Sequence, residues 1–275
     1  MTDLEISGER MIEDAYVRSL DAYVIYIMHT ASYAFAQKFC VGKVVLDLGS
    51  GSGYGAARIG KVAARVEGVD VDDGAVEFAQ QRYSSENVSF SRIEAGKALP
   101  FPDASFDTVL SFQVIEHVQD DDGYLMEAHR ILKPGGVMVV VTPDRQHRLL
   151  PGQRPWNRWH VREYSSAQLE RKVARRFTVE ASLKMGAPWK VADVELRRYR
   201  KTKWLTLPFT LPIMPDVMRR KGLDILHRLR SKPGSVDAGE RMPVAKFEFD
   251  ETVMLVENKP PNSLNLVVVC RKVAE

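Results

Sequence analysis

Cysteine is scarce in this 275-residue chain, with Cys40 and Cys270 the only two. Thiols so far apart in sequence make no redox pair and no cysteine-based metal motif. A reducing compartment is therefore the default expectation. An excess of one charge is also missing. The 39 Lys and Arg exceed the 36 Asp and Glu by a net charge of +3, too little to imply nucleic acid as a partner. No apolar run is long enough to span a bilayer, and no internal repeat is present. Residues 1–5, Met-Thr-Asp-Leu-Glu, are acidic and lack the apolar core of a signal peptide. The expected location is the cytoplasm. What remains is an ordinary globular composition on a chain long enough for one large α/β domain with an insertion, or for two small domains.

The most informative stretch is residues 44–56, Val-Val-Leu-Asp-Leu-Gly-Ser-Gly-Ser-Gly-Tyr-Gly-Ala. Val44, Val45, Leu46 and Leu48 read as a strand buried on both faces. Gly49, Gly51, Gly53 and Gly55 then let the chain turn sharply and let a ligand touch bare main chain. A helix is expected from Ala56, giving a nucleotide-type loop after a first strand. Residues 51–56 satisfy the loose dinucleotide pattern G-x-G-x-x-G/A, so glycines alone leave the nucleotide open. Asp47 tilts the balance. A carboxylate beside the loop repels a pyrophosphate and suits a ligand carrying an ammonium and a sulfonium.

With Asp47 included, the stretch reads Asp-x-Gly-x-Gly-x-Gly and resembles the first motif of the class I S-adenosylmethionine-dependent methyltransferases. The resemblance covers residues 40–143 and the final strand. It implies a Rossmann-like seven-stranded sheet with an antiparallel last strand, helices on both faces, and S-adenosyl-L-methionine as cofactor. It places Asp47 near the methionine end, with Gly49, Ser50, Gly51 and Gly53 forming the cofactor loop. The second strand, 65–71, brings Asp70 about 20 residues past the loop, where an acid can accept from both ribose hydroxyls. The other role for Asp70 is capping the helix that begins near Gly74, which Asp72 or Asp73 can fill instead. Val71 would flank the adenine. After the third strand, 88–93, the family often has Gly-Asp, the Asp contacting the adenine amino group. Here Glu94 and Ala95 stand at those positions, so either Glu94 substitutes or the Ala95 N–H contacts the ring.

The N-terminal 40 residues alternate apolar and aromatic side chains at helical spacing, and two helices are expected between Ile12 and Cys40. Their aromatics either pack in the core or form a lid with His29 and Tyr33. Gly8-Glu9-Arg10-Met11, His29 and Tyr33-Ala34-Phe35-Ala36 are similar to the N-terminal region of bacterial sugar and O-antigen methyltransferases. Strand four, 108–114, delivers Gln113, then Ile115-Glu116-His117-Val118, to the carboxyl edge of the sheet. The Glu-His pair looks like that of quinone and small-molecule methyltransferases. Leu132-Lys133-Pro134-Gly135-Gly136 reads as a tight turn before strand five, 137–141. Residues 142–164 interleave aromatics with Asp144, Arg145, His147, Arg154, His160, Arg162 and Glu163, the composition of a substrate loop. Ser165 to Gln168 form a capping box. Strand six, 177–185, and the closing strand, 265–272, complete the sheet.

An insertion of residues 186–257 crowds twelve Lys and Arg into its first two-thirds, against Asp193, Glu195, Asp216 and Asp224. Beside them lies an apolar run, 204–215, broken by Pro208, Pro212 and Pro215. Such a surface suits anionic lipid, a lipid-linked substrate or the pyrophosphate of a sugar nucleotide; the plain alternative is a solvated face with a packed loop. The domain reading is 1–40 helical cap, 41–185 cofactor-binding core, 186–257 basic insertion walling the acceptor site, and 258–275 closing strand. The leading function is methyl transfer to a hydroxyl on a sugar, polysaccharide or glycolipid precursor. A quinone-like or other small natural-product acceptor, a non-catalytic cofactor-binding scaffold and a nicotinamide oxidoreductase are the competitors, the last disfavoured by Asp47. His160, oriented by Glu163, is the first candidate base, and His117 the second. Asp144 with other carboxylates is the metal-assisted route, but no ligand spacing supports it and no metal is expected. Oligomeric state is not legible.

Overall fold

The computed structural model describes residues 19–230 and 247–273. Gly8-Glu9-Arg10-Met11 lies outside the described residues; of the stretch 12–40, where two helices are expected, the described part holds one continuous α-helix, Leu20–Ala36. Among the described residues, eight strands form one sheet in the order β3-β2-β1-β4-β5-β8-β6-β7. They are β1 (Val44–Leu48), β2 (Arg65–Asp70), β3 (Val88–Arg92), β4 (Phe106–Phe112), β5 (Leu132–Pro143), β6 (Thr178–Gly186), β7 (Leu255–Glu257) and β8 (Ser263–Arg271). β1 to β5 run parallel, and β8 enters antiparallel between β5 and β6. The seven-strand expectation needs one correction. The short β7 pairs with Lys184, Met185 and Gly186 at the end of β6 and adds an eighth strand.

Alternation along the strands builds two cores. Val45, Val139, Val141, Val267 and Val269 face one side, where α1 (Leu20–Ala36), α2 (Tyr54–Gly60), α3 (Asp73–Tyr83) and α7 (Trp189–Leu205) pack. Leu46, Leu48, Met138, Val140, Leu266 and Val268 face the other, under α4 (Asp121–Ile131) and α6 (Ser166–Val173). Burial on both faces is what makes these strands near-continuous apolar runs.

Local signals set the helix starts. Ser19 caps α1 through the Ala22 N–H, Asp72 caps α3, and Ser165 with Gln168 closes a reciprocal capping box on α6. The turn expected at residues 132–136 is present as a bulge inside the long β5. Phe106 pairs with Leu132 and Thr108 already with Val137, with Gly135 at φ +74°. Beyond β5 come α5 (Arg145–Arg148) and, in the insertion, α8 (Leu207–Thr210) and α9 (Asp216–Arg230) around α7.

Because β1 sits between β2 and β4, the chain leaves β1 and β4 toward opposite faces. The crevice at this switch point is where open α/β sheets bind ligands. The loops after β1 and β4 both open there.

Candidate active site

Asp47 is the buried acid near the end of β1, just before the first loop. Tyr33, from α1, donates its hydroxyl to Asp47 Oδ2 at 3.0 Å, while Oδ1 has no partner. Burial pushes the Asp47 carboxyl up to about 7; the Tyr33 hydrogen bond offsets part of this and the Asp70 charge adds to it. A buried carboxylate with one orphan oxygen invites a cationic ligand group. The Tyr33 ring lies against Gly55, where a Cβ would come within 1.9 Å of it. Gly51 sits at φ +53° with nothing within 4 Å of where its Cβ would stand, so its open side leaves room against bare main chain. Ser50 is buried with its hydroxyl unpartnered.

Asp70 ends β2. Its carboxylate accepts from the Gly51 N–H at 2.9 Å and the Asp72 N–H at 3.0 Å, which fixes its direction beside the loop. The capping role falls to Asp72, which accepts from Ala75. Val71 is half exposed, and Glu94 and Ala95 are exposed just past β3. In register, Leu48 pairs with Val69 and Asp70 with Arg92. The glycine loop, Asp70 with Val71, and Glu94 with Ala95 therefore follow the ends of three adjacent strands at the carboxyl edge.

The loop after β4 supplies the other half. Gln113 adopts φ +58°, rare for a side-chain-bearing residue and common at functional sites. It lines a cavity of about 130 Å³ together with Met28, His29, Glu116, His117, Trp156, Asn157, His160 and Tyr199. The two histidines expected from sequence meet edge to face there, with ring centroids 4.8 Å apart. Glu163 orients His160 as expected: its Oε1 lies 2.9 Å from His160 Nδ1. Arg148 grips the same carboxylate, Nε to Oε2 at 2.9 Å and Nη2 to Oε1 at 3.0 Å. Burial alone would raise Glu163, but Arg148 and His160 overcome it and hold Glu163 at about 2. Glu163 is thus an ionised acceptor, so His160 carries its proton on Nδ1 and leaves the Nε2 lone pair free.

Burial lowers the His160 imidazole below its ordinary range, Glu163 opposing and Arg148 assisting. His117 is pushed down to about 4 by burial and by His160. Both rings are neutral at physiological pH. Glu116 is fully buried; burial pushes it up to about 8 despite a hydrogen bond from Thr142 to Oε2, and its Oε1 has no partner.

One ligand atom from each of Glu116, His117 and His160 lies within 4.8 Å of the others. The sequence showed no metal spacing because His160 arrives from 43 residues downstream of His117. Asp144 is not part of this cluster. It caps α5 through Gln146, pairs with Lys184 at 3.0 Å and accepts from Ser263 at 2.7 Å, which makes it a brace between β5, β6 and β8. Arg148, Tyr199 and Asn157 were not read as site residues. The guanidinium of Arg148 also lies 4.4 Å from the Trp156 ring and 4.7 Å from that of Tyr199. The insertion thus reaches the cavity through Arg198 and Tyr199 of α7. A polar residue in the aromatic loop was the one sequence signal for Arg148.

Residues 46–140 match the family model described as Methyltransferase domain. A probable S-adenosylmethionine-dependent methyltransferase of Mycolicibacterium smegmatis is 38% identical over 182 residues, 66% of this chain and 68% of that protein. A demethylmenaquinone methyltransferase of Tropheryma whipplei is 34% identical over 122 residues, 44% of this chain and 49% of that one. Among solved structures, an S-adenosylmethionine-dependent methyltransferase from Mesorhizobium loti shares the fold at a TM-score of 0.55 and 16% identity, over 92% of this chain and 100% of that chain. The chain belongs to the S-adenosylmethionine-dependent methyltransferases, and S-adenosylmethionine is its cofactor.

Proposed function

We propose that this enzyme methylates a hydroxyl oxygen, on a sugar or on a polysaccharide or glycolipid precursor. The residues present fit the cofactor. The orphan Asp47 Oδ1 suits its cationic end, the open side of Gly51 its passage along the main chain, and Asp70 its ribose. Gly49, Ser50 and Gly53 complete the loop, Tyr33 positions Asp47, and Val71, Glu94 and Ala95 flank the adenine end. Gln113 bridges the cofactor crevice and the cavity. When bound, S-adenosylmethionine supplies a methyl group already activated on a sulfonium.

The chain's own contribution is position and a proton acceptor. The cavity must hold the acceptor oxygen at near-attack distance, about 3 Å from the methyl carbon. A hydroxyl is a poor nucleophile while protonated, and a positioned base adds roughly 10²–10⁴-fold. The observation that carries this reading is the Arg148–Glu163–His160 chain, which ends in a neutral imidazole on the cavity wall with Nε2 free. His160 Nε2 takes the hydroxyl proton, and the ionised Glu163 stabilises the imidazolium that results. His117 is the second candidate. The test is His160→Ala against His117→Ala at saturating donor; near-native kcat in His160→Ala from about pH 6 to 9 removes His160 as base.

Two observations favour variants of this reading. The likeness to a demethylmenaquinone methyltransferase supports a quinone-like acceptor instead of a sugar. The convergence of Glu116, His117 and His160 supports a divalent cation at the acceptor. Loss of activity on chelation, restored by added metal, would replace the general-base reading with the metal-assisted one.

A further inference from the structure

The insertion presents a face that the catalytic reading leaves unused. Between residues 204 and 225, Trp204, Leu205, Leu211, Val217, Met218 and Ile225 are exposed, and Ile213 is 87% exposed. Single exposed apolar residues are ordinary, but seven within 22 residues are not.

This segment is firmly seated. The Arg154 N–H donates to Thr210 O at 2.8 Å, and Arg154 Nη1 donates to Met214 O at 2.9 Å. Arg219, almost fully buried, donates Nη1 to Pro155 O at 2.9 Å and pairs with Asp216. Phe209 packs on Gly222 so closely that a Cβ there would stand 2.2 Å from its ring. The inner side is fixed while the apolar side chains point outward.

The geometry of α9 sharpens this. At about 100° per residue, Val217, Met218, Lys221, Ile225 and Arg228 fall within one arc of about 100°, and all five are exposed. Both acids of residues 204–230 are already neutralised. Asp216 pairs with Arg154, Arg219 and Arg220, and Asp224 with Arg158. Among the described residues, Lys201, Lys221 and Arg228 have no carboxylate partner. An exposed face of Trp and aliphatic side chains mixed with unpaired cations matches an anionic lipid surface, where apolar groups enter the headgroup boundary and Lys and Arg meet phosphates. No described helix is long and apolar enough to cross a membrane, so the contact is peripheral.

We infer that the outward face of residues 204–228 docks on an anionic lipid surface. Its position gives the contact a purpose. The segment is hydrogen-bonded to Arg154 and Pro155, and the next two residues, Trp156 and Asn157, line the cavity. Docking holds the cavity near the headgroups, where a lipid-linked acceptor is found; only this last clause rests on the proposed methyl transfer.

The test is co-sedimentation of the full chain with phosphatidylglycerol vesicles and with phosphatidylcholine vesicles, at low and high salt. Binding to phosphatidylglycerol that weakens with salt is expected. Lys221→Glu with Arg228→Glu should lower the partition coefficient at least about 25-fold, at about fivefold per cation. Ile213→Ser with Ile225→Ser should lower it about tenfold or more. Calorimetry with S-adenosylmethionine shows that each variant is folded, since neither pair touches the cofactor loop. The inference is overturned if the wild type stays in solution with phosphatidylglycerol at low salt, or if both variants sediment like it. It is equally overturned if sedimentation velocity without lipid shows a dimer that Ile213→Ser with Ile225→Ser dissolves. Vesicle binding without methyl transfer to any acceptor counts against the proposed function and leaves the surface standing.

Discussion

With its carboxyl pushed up to about 7, Asp47 is half protonated at neutral pH in the free protein. The cofactor's cationic end favours the ionised form, so binding below pH 7 must expel a proton. If only the carboxylate binds, the apparent Kd scales as one plus the ratio of protonated to ionised Asp47. That factor is about 11 at pH 6 and about 1.3 at pH 7.5, so affinity should rise about eightfold across this window. The ligand's own α-amino group titrates near 8, which is why the comparison stops short of it. Calorimetry in buffers of different ionisation enthalpy should show about 0.9 proton released at pH 6 and about 0.2 at pH 7.5. His117, pushed down to about 4, does not contribute in this range. Asp47→Asn should weaken binding and abolish the pH dependence. An affinity flat from pH 6 to 7.5 in the wild type, or the same slope in Asp47→Asn, would refute this account of Asp47.

The same carboxyl governs stability without ligand. Its folded value is raised, so the unfolded chain ionises first and stability falls as pH climbs from about 4 to 7, by up to about 4 kcal/mol. Thermal unfolding should show Asp47→Asn more stable than wild type at pH 8, and no difference at pH 8 would count against it. Glu163 acts in the opposite sense. Its folded value of about 2 lies below the unfolded one, so it stabilises at neutral pH and loses about 3 kcal/mol as pH falls from about 4.5 to 2. Breaking its buried pair by Arg148→Met should cost about 3–5 kcal/mol in denaturant unfolding. Asp70→Ala should leave the fold intact and weaken cofactor binding by roughly 1.5–3 kcal/mol, read by calorimetry. Gly55→Ala places a methyl 1.9 Å from the Tyr33 ring and should displace Tyr33 from Asp47, visible as a changed pH slope of binding.

β1, β5 and β8 were legible because each carries an apolar run buried on both faces of the sheet. The glycine loop was legible because bare main chain at a ligand leaves a mark in composition. His160 and Glu163 were found together because they are three residues apart on one loop. What local sequence hides is convergence. Nothing local marks Arg148 for burial; only the fold buries it against Glu163, Trp156 and Tyr199. Glu116 and His117 are neighbours in sequence, but only the path of residues 142–164 back over the sheet edge brings His160 to them. Asp144 erred the other way. Its position after β5 looked chemical, yet Lys184 and Ser263 approach from strands far along the chain and make it structural. The eighth strand was missed because three residues, Leu255 to Glu257, carry too little pattern to read.

The claim that this chain methylates a hydroxyl is tested most directly by transfer of a tritiated methyl group from S-adenosylmethionine. The wild type is incubated with sugars, glycolipids and phenolic quinone precursors, and the labelled product is mapped. The account predicts an ether-linked methyl on a hydroxyl-bearing acceptor, formed more slowly on Asp47→Asn at limiting donor and reduced roughly 10²–10⁴-fold in kcat on His160→Ala. Label on nitrogen or carbon instead, or wild-type turnover in His160→Ala, would contradict it.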